Sequence, residues 1–234
     1  MYKRQIKKIL RIMRDLVTPH RILTKTLPYG RQELIRLNAR KGILKNAKQN
    51  GVGAEIGVFR GLFTDVIARK LSPTRIYLVD PWTKLGETFP WRQDSPMTAQ
   101  GRLTTQQALQ DTKKTMARYP HIEAHFIEDY SSNFFAQLKE KLDWIYLDSS
   151  HSYDDTLKEL HLAAAALKDD GVIMGDDWRI KPRTKHGGVT LAVNDFIRST
   201  DYDLVEAGYG QQYCLRKRLQ RRASRKKNVQ RTES

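Results

Sequence analysis

The sequence predicts an α/β protein on a doubly wound, mostly parallel seven-stranded sheet, preceded by a helical N-terminal extension. Three observations carry that prediction. Short apolar runs alternate with helix-length amphipathic runs from residue 51 to 215, the pattern of strands covered by helices on both faces. The chain has 234 residues, 39% of them hydrophobic, which suits one domain of ~100–250 residues with short appendages. Turn residues follow the apolar runs, and the first residue beyond a run is repeatedly an acid or a glycine.

In chain order, Val52–Ile56 reads as the first strand, Gly57–Gly61 as a glycine turn and Leu62–Leu71 as a helix. Arg75–Val79 is the second strand, ending at Asp80-Pro81. Residues 82–104 read as a loop, and Thr105–Tyr119 as a helix. Ile122–Ile127 is the third strand, before Glu128-Asp129, and Phe134–Lys141 a helix. Trp144–Leu147 is the fourth strand and ends in Asp148; the Leu- and Ala-rich Asp155–Lys168 follows as a helix. Val172–Met174 is the fifth strand, ending in Gly175-Asp176-Asp177, and Val189–Arg198 a helix. Asp203–Ala207 and Gln212–Leu215 form an antiparallel pair across Gly208-Tyr209-Gly210.

In such a sheet ligands bind beyond the carboxyl ends of the strands. Glu55, Asp80, Glu128-Asp129, Asp148 and Asp176-Asp177 all stand at those ends. Stability gives no reason to gather like charges on one rim; a cationic ligand, hydroxyl donors or a metal does. The Glu55–Gly61 segment lies between a strand and a helix, where Gly57 permits a tight turn and Gly61 a close approach. It is not a G-x-G-x-x-G fingerprint and it lacks the lysine of a phosphate-binding loop. Asp80, about 20 residues on, is placed to accept ribose hydroxyls.

Four segments together resemble the class I S-adenosylmethionine-dependent methyltransferases: Ala54-Glu-Ile-Gly-Val-Phe-Arg-Gly61, Val79-Asp-Pro-Trp82, Leu147-Asp-Ser-Ser-His-Ser-Tyr153 and Gly171-Val-Ile-Met-Gly-Asp-Asp-Trp178. Within that class they resemble the branch of macrocin-type sugar O-methyltransferases and related small methyltransferase-domain proteins. The resemblance spans about residues 51–215 and implies a Rossmann-like methyltransferase fold with S-adenosylmethionine as cofactor. It implies that Glu55 and the backbone of Gly57, Phe59 and Gly61 hold the methionine end, and that Asp80 takes the ribose. Asp129 with Ser131 would face the adenine, Tyr130 being a rival because the alignment can slip by one. An acid-lined site suits a cofactor that is a sulfonium cation without phosphate.

On the acceptor side, the resemblance implies a metal held by Asp148, Asp176 and Asp177. Hard carboxylate oxygens suit Mg²⁺ or Mn²⁺, and a bound cation would acidify an acceptor hydroxyl. That branch often has a second acid two residues after the first ligand; this chain has Ser150, then His151. His151 is the candidate general base, with Asp148 beside it; the plainer reading of His151 is a loop hydrogen bond. Asp154 and Asp155 read as an N-cap and first-turn acid, and His186-Gly187-Gly188 as a turn over the site. Trp82, Phe89 and Trp91 either stack on the acceptor or pack the loop onto the domain. The acceptor expected is a small-molecule or glycan hydroxyl.

Charge divides the chain into three. Residues 1–50 carry 14 Lys/Arg against 2 acids and residues 215–234 carry 9 against 1, while the centre is mildly acidic within a total of +16. Residues 1–50 read as a basic helical extension, 51–215 as the methyltransferase domain and 216–234 as a basic, disordered tail. Ile6, Ile9, Leu10, Met13, Leu16 and Val17 fall at helical spacing among lysines and arginines, and a second basic helix is expected at about 31–48. Basic arms attract anionic partners without choosing among them. An anionic membrane surface met through the first helix is one expectation; a nucleic acid is another, weakened by the lack of an Asn-Pro-Pro-Tyr-like motif or an aromatic-rich RNA module. A non-catalytic polyanion- or membrane-binding protein on the same fold, and a homo-oligomer, remain open alternatives. One cysteine, Cys214, excludes an intrachain disulfide framework, and the sequence has no run of ~18–20 apolar residues. The N-terminus does not read as a secretory signal, so a cytoplasmic protein is expected, peripheral at the inner membrane surface if the first helix binds there.

Overall fold

The computed structural model describes residues 29–179 and 187–218. The amphipathic segment 6–17, His186 and residues 219–234 lie outside them. A helix, α1 (Tyr29–Arg40), and a short 3₁₀ turn (Lys41–Asn46) lead into β1 (Val52–Ile56). Then follow α2 (Leu62–Leu71), β2 (Arg75–Val79), α3 (Thr105–Met116), β3 (Glu123–Ile127), α4 (Ser131–Gln137) and β4 (Leu142–Leu147). The chain continues through α5 (Tyr153–Ala166), β5 (Leu167–Gly175), α6 (Gly187–Ser199), β6 (Tyr202–Ala207) and β7 (Tyr213–Lys217).

The seven strands form one sheet in the order β3-β2-β1-β4-β5-β7-β6. β1 to β5 pair in parallel, and β7 runs antiparallel to both β5 and β6. The expected doubly wound, mostly parallel sheet is therefore present. Its strand order reverses between β1 and β4, which opens the crevice beyond their carboxyl ends.

Central strands in such a sheet must be apolar on both faces, and β4 shows why. Trp144 and Tyr146 point into a core that includes Phe63, Ile67, Leu71, Leu109 and Met174. Ile145 and Leu147, one residue out of phase, point into the opposite core with Leu160, Ile173, Val193 and Phe196. Every residue of β4 is buried.

Most element boundaries depart from the sequence reading by one to four residues, and four departures bear on the architecture. The expected helix at 31–48 ends as α-helix at Arg40 and tightens into the 3₁₀ turn. α4 begins three residues earlier than expected, at Ser131. β5 starts at Leu167 instead of Val172, because Leu167 pairs with Leu142 across an irregularity in the ladder. β7 extends to Lys217, two residues into the segment read as tail. Cys214 is buried and unpaired. Among the described residues, no helix is long and apolar enough to cross a membrane.

Candidate active site

The glycine turn after β1 is tied to the ends of its neighbours. The Gly57 amide donates to the Val79 carbonyl at 2.9 Å, and the Asp148 amide to the Ile56 carbonyl at 2.8 Å. Gly57 has φ +87°, and a Cβ there would lie 2.2 Å from the Asp148 carbonyl oxygen. Only glycine allows β1 and β4 to approach so closely at the switch point. Phe59, Trp82 and Asp177 also have left-handed backbone (φ 57°, 32° and 62°). Each stands just past a strand end, where stored backbone strain is typically found at functional sites.

Asp80 holds this turn in shape. Its Oδ2 accepts from the Val58 and Phe59 amides at 3.0 and 2.9 Å, and its Oδ1 from the Trp82 amide at 3.0 Å. Three of the roughly four acceptor positions of a carboxylate are thus in use. Burial pushes the Asp80 carboxyl up despite these bonds. Glu55 is buried in β1, where its Oε2 accepts from the Thr64 hydroxyl at 2.6 Å. Burial pushes its carboxyl up to about 8, against the pull of Thr64 and Arg40.

Past β3, Asp129 accepts from the Tyr130 amide at 2.8 Å and the Asn133 side chain at 2.9 Å, and pairs with Lys84 at 2.8 Å. Lys84, Asn133 and the Tyr130 amide hold its carboxyl down at about 2. Tyr130 is exposed. Ser131 donates to Glu159 Oε1 at 2.6 Å, and Ser149 donates to the other oxygen of the same carboxylate. Glu159, buried on α5, thereby ties the Asp129–Ser131 corner to the loop after β4; its carboxyl is raised by burial.

That loop carries His151. Its Nδ1 lies 3.4 Å from Asp177 Oδ2, and Asp148, His151 and Asp177 offer ligand atoms within 4.8 Å of one another. Ser152 caps α5, its Oγ accepting from the Asp155 amide at 3.2 Å. Asp154 and Asp155 are therefore first-turn acids, and the cap is the serine before them. Leu147, Asp148, Ser149, His151, Glu159 and Tyr213 line a small cleft here.

Asp176 faces elsewhere. Its Oδ2 accepts from Arg36 Nη2 at 2.8 Å and lies 3.4 Å from Arg40 Nη2; its Oδ1 accepts from the Gln212 amide. Arg40 Nη2 also donates to Asp148 Oδ2 at 2.5 Å, and Arg179 Nη2 to Asp177 Oδ1 at 2.8 Å. The acids expected to hold a metal are therefore each met by a guanidinium. Burial works against the Asp176 carboxylate, but Arg40 and Arg36 outweigh it and hold its pKa down. Asp148 goes the other way, raised by burial and by Asp176 beyond what Arg40 offsets.

Of the three loop aromatics, Trp82 and Phe89 are buried and only Trp91 is exposed. Phe59, Phe89 and Trp91 pack together with centroids 4.9–5.2 Å apart, which docks the loop against the glycine turn. Arg36, Arg40, Glu159 and Gln212 belong to the site without standing out in the sequence. The arginines look like any other bases of a basic helix, and the pairs they form span 106 to 140 residues.

Comparison with known proteins agrees with this fold. A family model described as a methyltransferase domain matches residues 54–178, just over half the chain. An inferred rRNA methylase from Clostridium thermocellum superposes with a TM-score of 0.53 at 14% identity, over 78% of this chain and 97% of its own. An rRNA methylase from Streptococcus thermophilus gives 0.50 at 14% identity, over 76% and 92%. An inferred methyltransferase from Streptococcus mutans, in complex with S-adenosylhomocysteine (SAH), gives 0.51 at 13%, over 75% and 96%. No curated protein sequence matches. At these identities the superpositions speak for the fold, and the family match speaks for the activity. The chain belongs to the methyltransferase-domain family, on the fold of the class I S-adenosylmethionine-dependent enzymes.

Proposed function

We propose that the chain transfers a methyl group from S-adenosylmethionine to a hydroxyl oxygen of a small-molecule or glycan acceptor. The observation that carries this reading is the His151–Asp177 pair, set beside Asp148 at the carboxyl end of β4. The bound cofactor supplies an electrophilic methyl on sulfonium. The chain must present the acceptor oxygen in line with that methyl and take its proton. His151 Nδ1 faces the Asp177 carboxylate, which orients the ring and favours the tautomer in which Nε2 is the basic nitrogen. The products are SAH, a methyl ether and imidazolium, which returns its proton to solvent.

Glu55 would hold the methionine end, its ionised form pairing with the ammonium group. Asp80 shapes the glycine turn, and its remaining acceptor position would serve the ribose. Asp129 and Tyr130 would hold the adenine. Ser131 positions that corner through Glu159, since its hydroxyl is already committed there.

RNA is the second acceptor class, favoured by the strongly basic ends of the sequence and by the fold shared with the two rRNA methylases. The basic segment 1–17 would then hold a polyanion, whereas with a lipid-linked glycan acceptor it would rest on an anionic membrane. Incubation with methyl-tritiated S-adenosylmethionine and, in parallel, total RNA and a panel of hydroxylated sugars and phenols separates these readings. Label on sugar or phenol oxygen, lost in His151→Ala, supports O-methylation. Label on RNA bases alone overturns it.

A further inference from the structure

The three strand-end aspartates that would coordinate a divalent cation stand against three arginines. Arg40 is the most deeply placed, its side chain 3% exposed. One of its nitrogens, Nη2, meets Asp148 Oδ2 at 2.5 Å, Asp176 Oδ2 at 3.4 Å and the Tyr146 hydroxyl at 2.7 Å. That single nitrogen therefore sits where a bridging cation would touch both carboxylates. The guanidinium also stacks 4.4 Å from the Phe63 ring centre, and its Nε bonds the Tyr146 hydroxyl at 3.1 Å. Arg36 adds a second positive charge on Asp176 at 2.8 Å and lies 3.9 Å from Asp148. Arg179 neutralises Asp177.

The seat is built for the arginines. α1, which carries both, is pressed onto the loop before β7: Gly210 has φ +61°, and a Cβ there would come within 2.7 Å of the Ala39 carbonyl oxygen. Gln212, from the same loop, accepts from the Tyr146 hydroxyl and donates to Asp176, closing the ring of partners around Arg40. Magnesium demands oxygen ligands in near-ideal octahedral geometry. Both Asp176 oxygens and Asp148 Oδ2 are already engaged, and the charges of three carboxylates are matched one for one. Asp148, His151 and Asp177 also come within 4.8 Å of one another, but Arg40 and Arg179 already meet the charge of both carboxylates, so the donor set does not fit a divalent metal.

We propose that Arg40, seconded by Arg36, is a resident cation that replaces a divalent metal at this rim. It fixes the Asp148 and Asp176 strand ends and makes the site metal-independent. Arg40 is a positioning residue: it orders Asp148, and through it the approach to His151, without touching the acceptor. A planar guanidinium is suited to this because it forks between two carboxylates, stacks on aromatic faces and never deprotonates. The consequence for catalysis rests on the methyltransferase reading above; the cation chemistry does not.

The test is a titration of Mn²⁺ into the full-length protein, followed by electron paramagnetic resonance of free Mn²⁺. The wild type is expected to take up no stoichiometric Mn²⁺ up to about 1 mM, although carboxylate oxygens are the ligands that suit this ion. The double variant Arg36→Met/Arg40→Met keeps most of the apolar stem, frees the carboxylates and is expected to gain one Mn²⁺ per chain. Arg40→Lys, which keeps a cation, should gain none. One equivalent of Mn²⁺ on the wild type, lost in Asp176→Asn or in His151→Ala, overturns the proposal. Circular dichroism melts accompany each variant; if the double variant does not fold, the wild-type titration still decides. Failure to bind S-adenosylmethionine would remove the functional reading and leave this result standing.

Discussion

Cofactor affinity should rise steeply with pH below 8, and Glu55 is the group responsible. Burial pushes its carboxyl up to about 8, from an ordinary value of 4.5. At pH 6 the folded chain therefore holds Glu55 almost wholly protonated. If the ammonium of the methionine end pairs with the ionised form, apparent affinity follows the ionised fraction, and the factor between pH 6 and 7.5 is about 25. The same shift sets the sign of a stability effect. Because the folded value is raised, the native state binds the proton more tightly than the unfolded chain does. The resulting stabilisation is complete below 4.5 and is lost as the pH climbs through about 8. The slope across that window is about 1.4 kcal/mol per pH unit at most. Glu55→Gln abolishes both dependences, since the amide accepts from Thr64 but cannot ionise. The assay is isothermal titration of S-adenosylmethionine at half-unit steps from pH 6 to 7.5, with urea unfolding at the same pH values. A flat profile in the wild type, or an unchanged slope in Glu55→Gln, would refute the reasoning.

Further variants probe other parts of the account. His151→Ala should lower kcat by ~10²–10⁴ while leaving the cofactor Kd unchanged, and Asp177→Asn should lower it less; a matched loss of cofactor binding would contradict the assigned role. Gly57→Ala combines a left-handed backbone with a collision at the Asp148 carbonyl, so urea unfolding should show a loss of about 3 kcal/mol. Asp129→Asn should weaken cofactor binding with no change in melting temperature, because its Lys84 partner is half-exposed. Asp143, buried at the opposite end of the sheet, accepts from the Val52 amide, Lys48 and Lys168 at 2.8–3.0 Å. Its replacement by alanine should cost about 2–3 kcal/mol of stability and leave kcat/KM of the folded fraction untouched.

What could be read from the sequence was set by local chemistry. Strand β4 is apolar on both faces because both are covered, so its run of Trp144 to Leu147 and the acid that ends it stand out in one dimension. The same logic finds Asp80, Asp148 and Asp176. It cannot say which way a carboxylate turns once it leaves the strand. Asp176 turns to Arg36 and Arg40, which lie more than 130 residues earlier on a helix whose basic residues look solvated. Ser131 was legible as a neighbour of the cofactor corner, but its bond to Glu159 depends on α5 folding back over α4. Trp82 and Phe89 could have been a platform or a core. The structure buries both, because a loop of this length needs its own apolar anchor against the glycine turn.

The most direct measurement is a crystal structure of the full chain grown with SAH. Density is expected over the Gly57–Gly61 turn, with the amino group toward Glu55, the ribose beside Asp80 and the adenine between Asp129 and Tyr130. Density at any other place, or a rim left bare at millimolar ligand, would contradict this expectation.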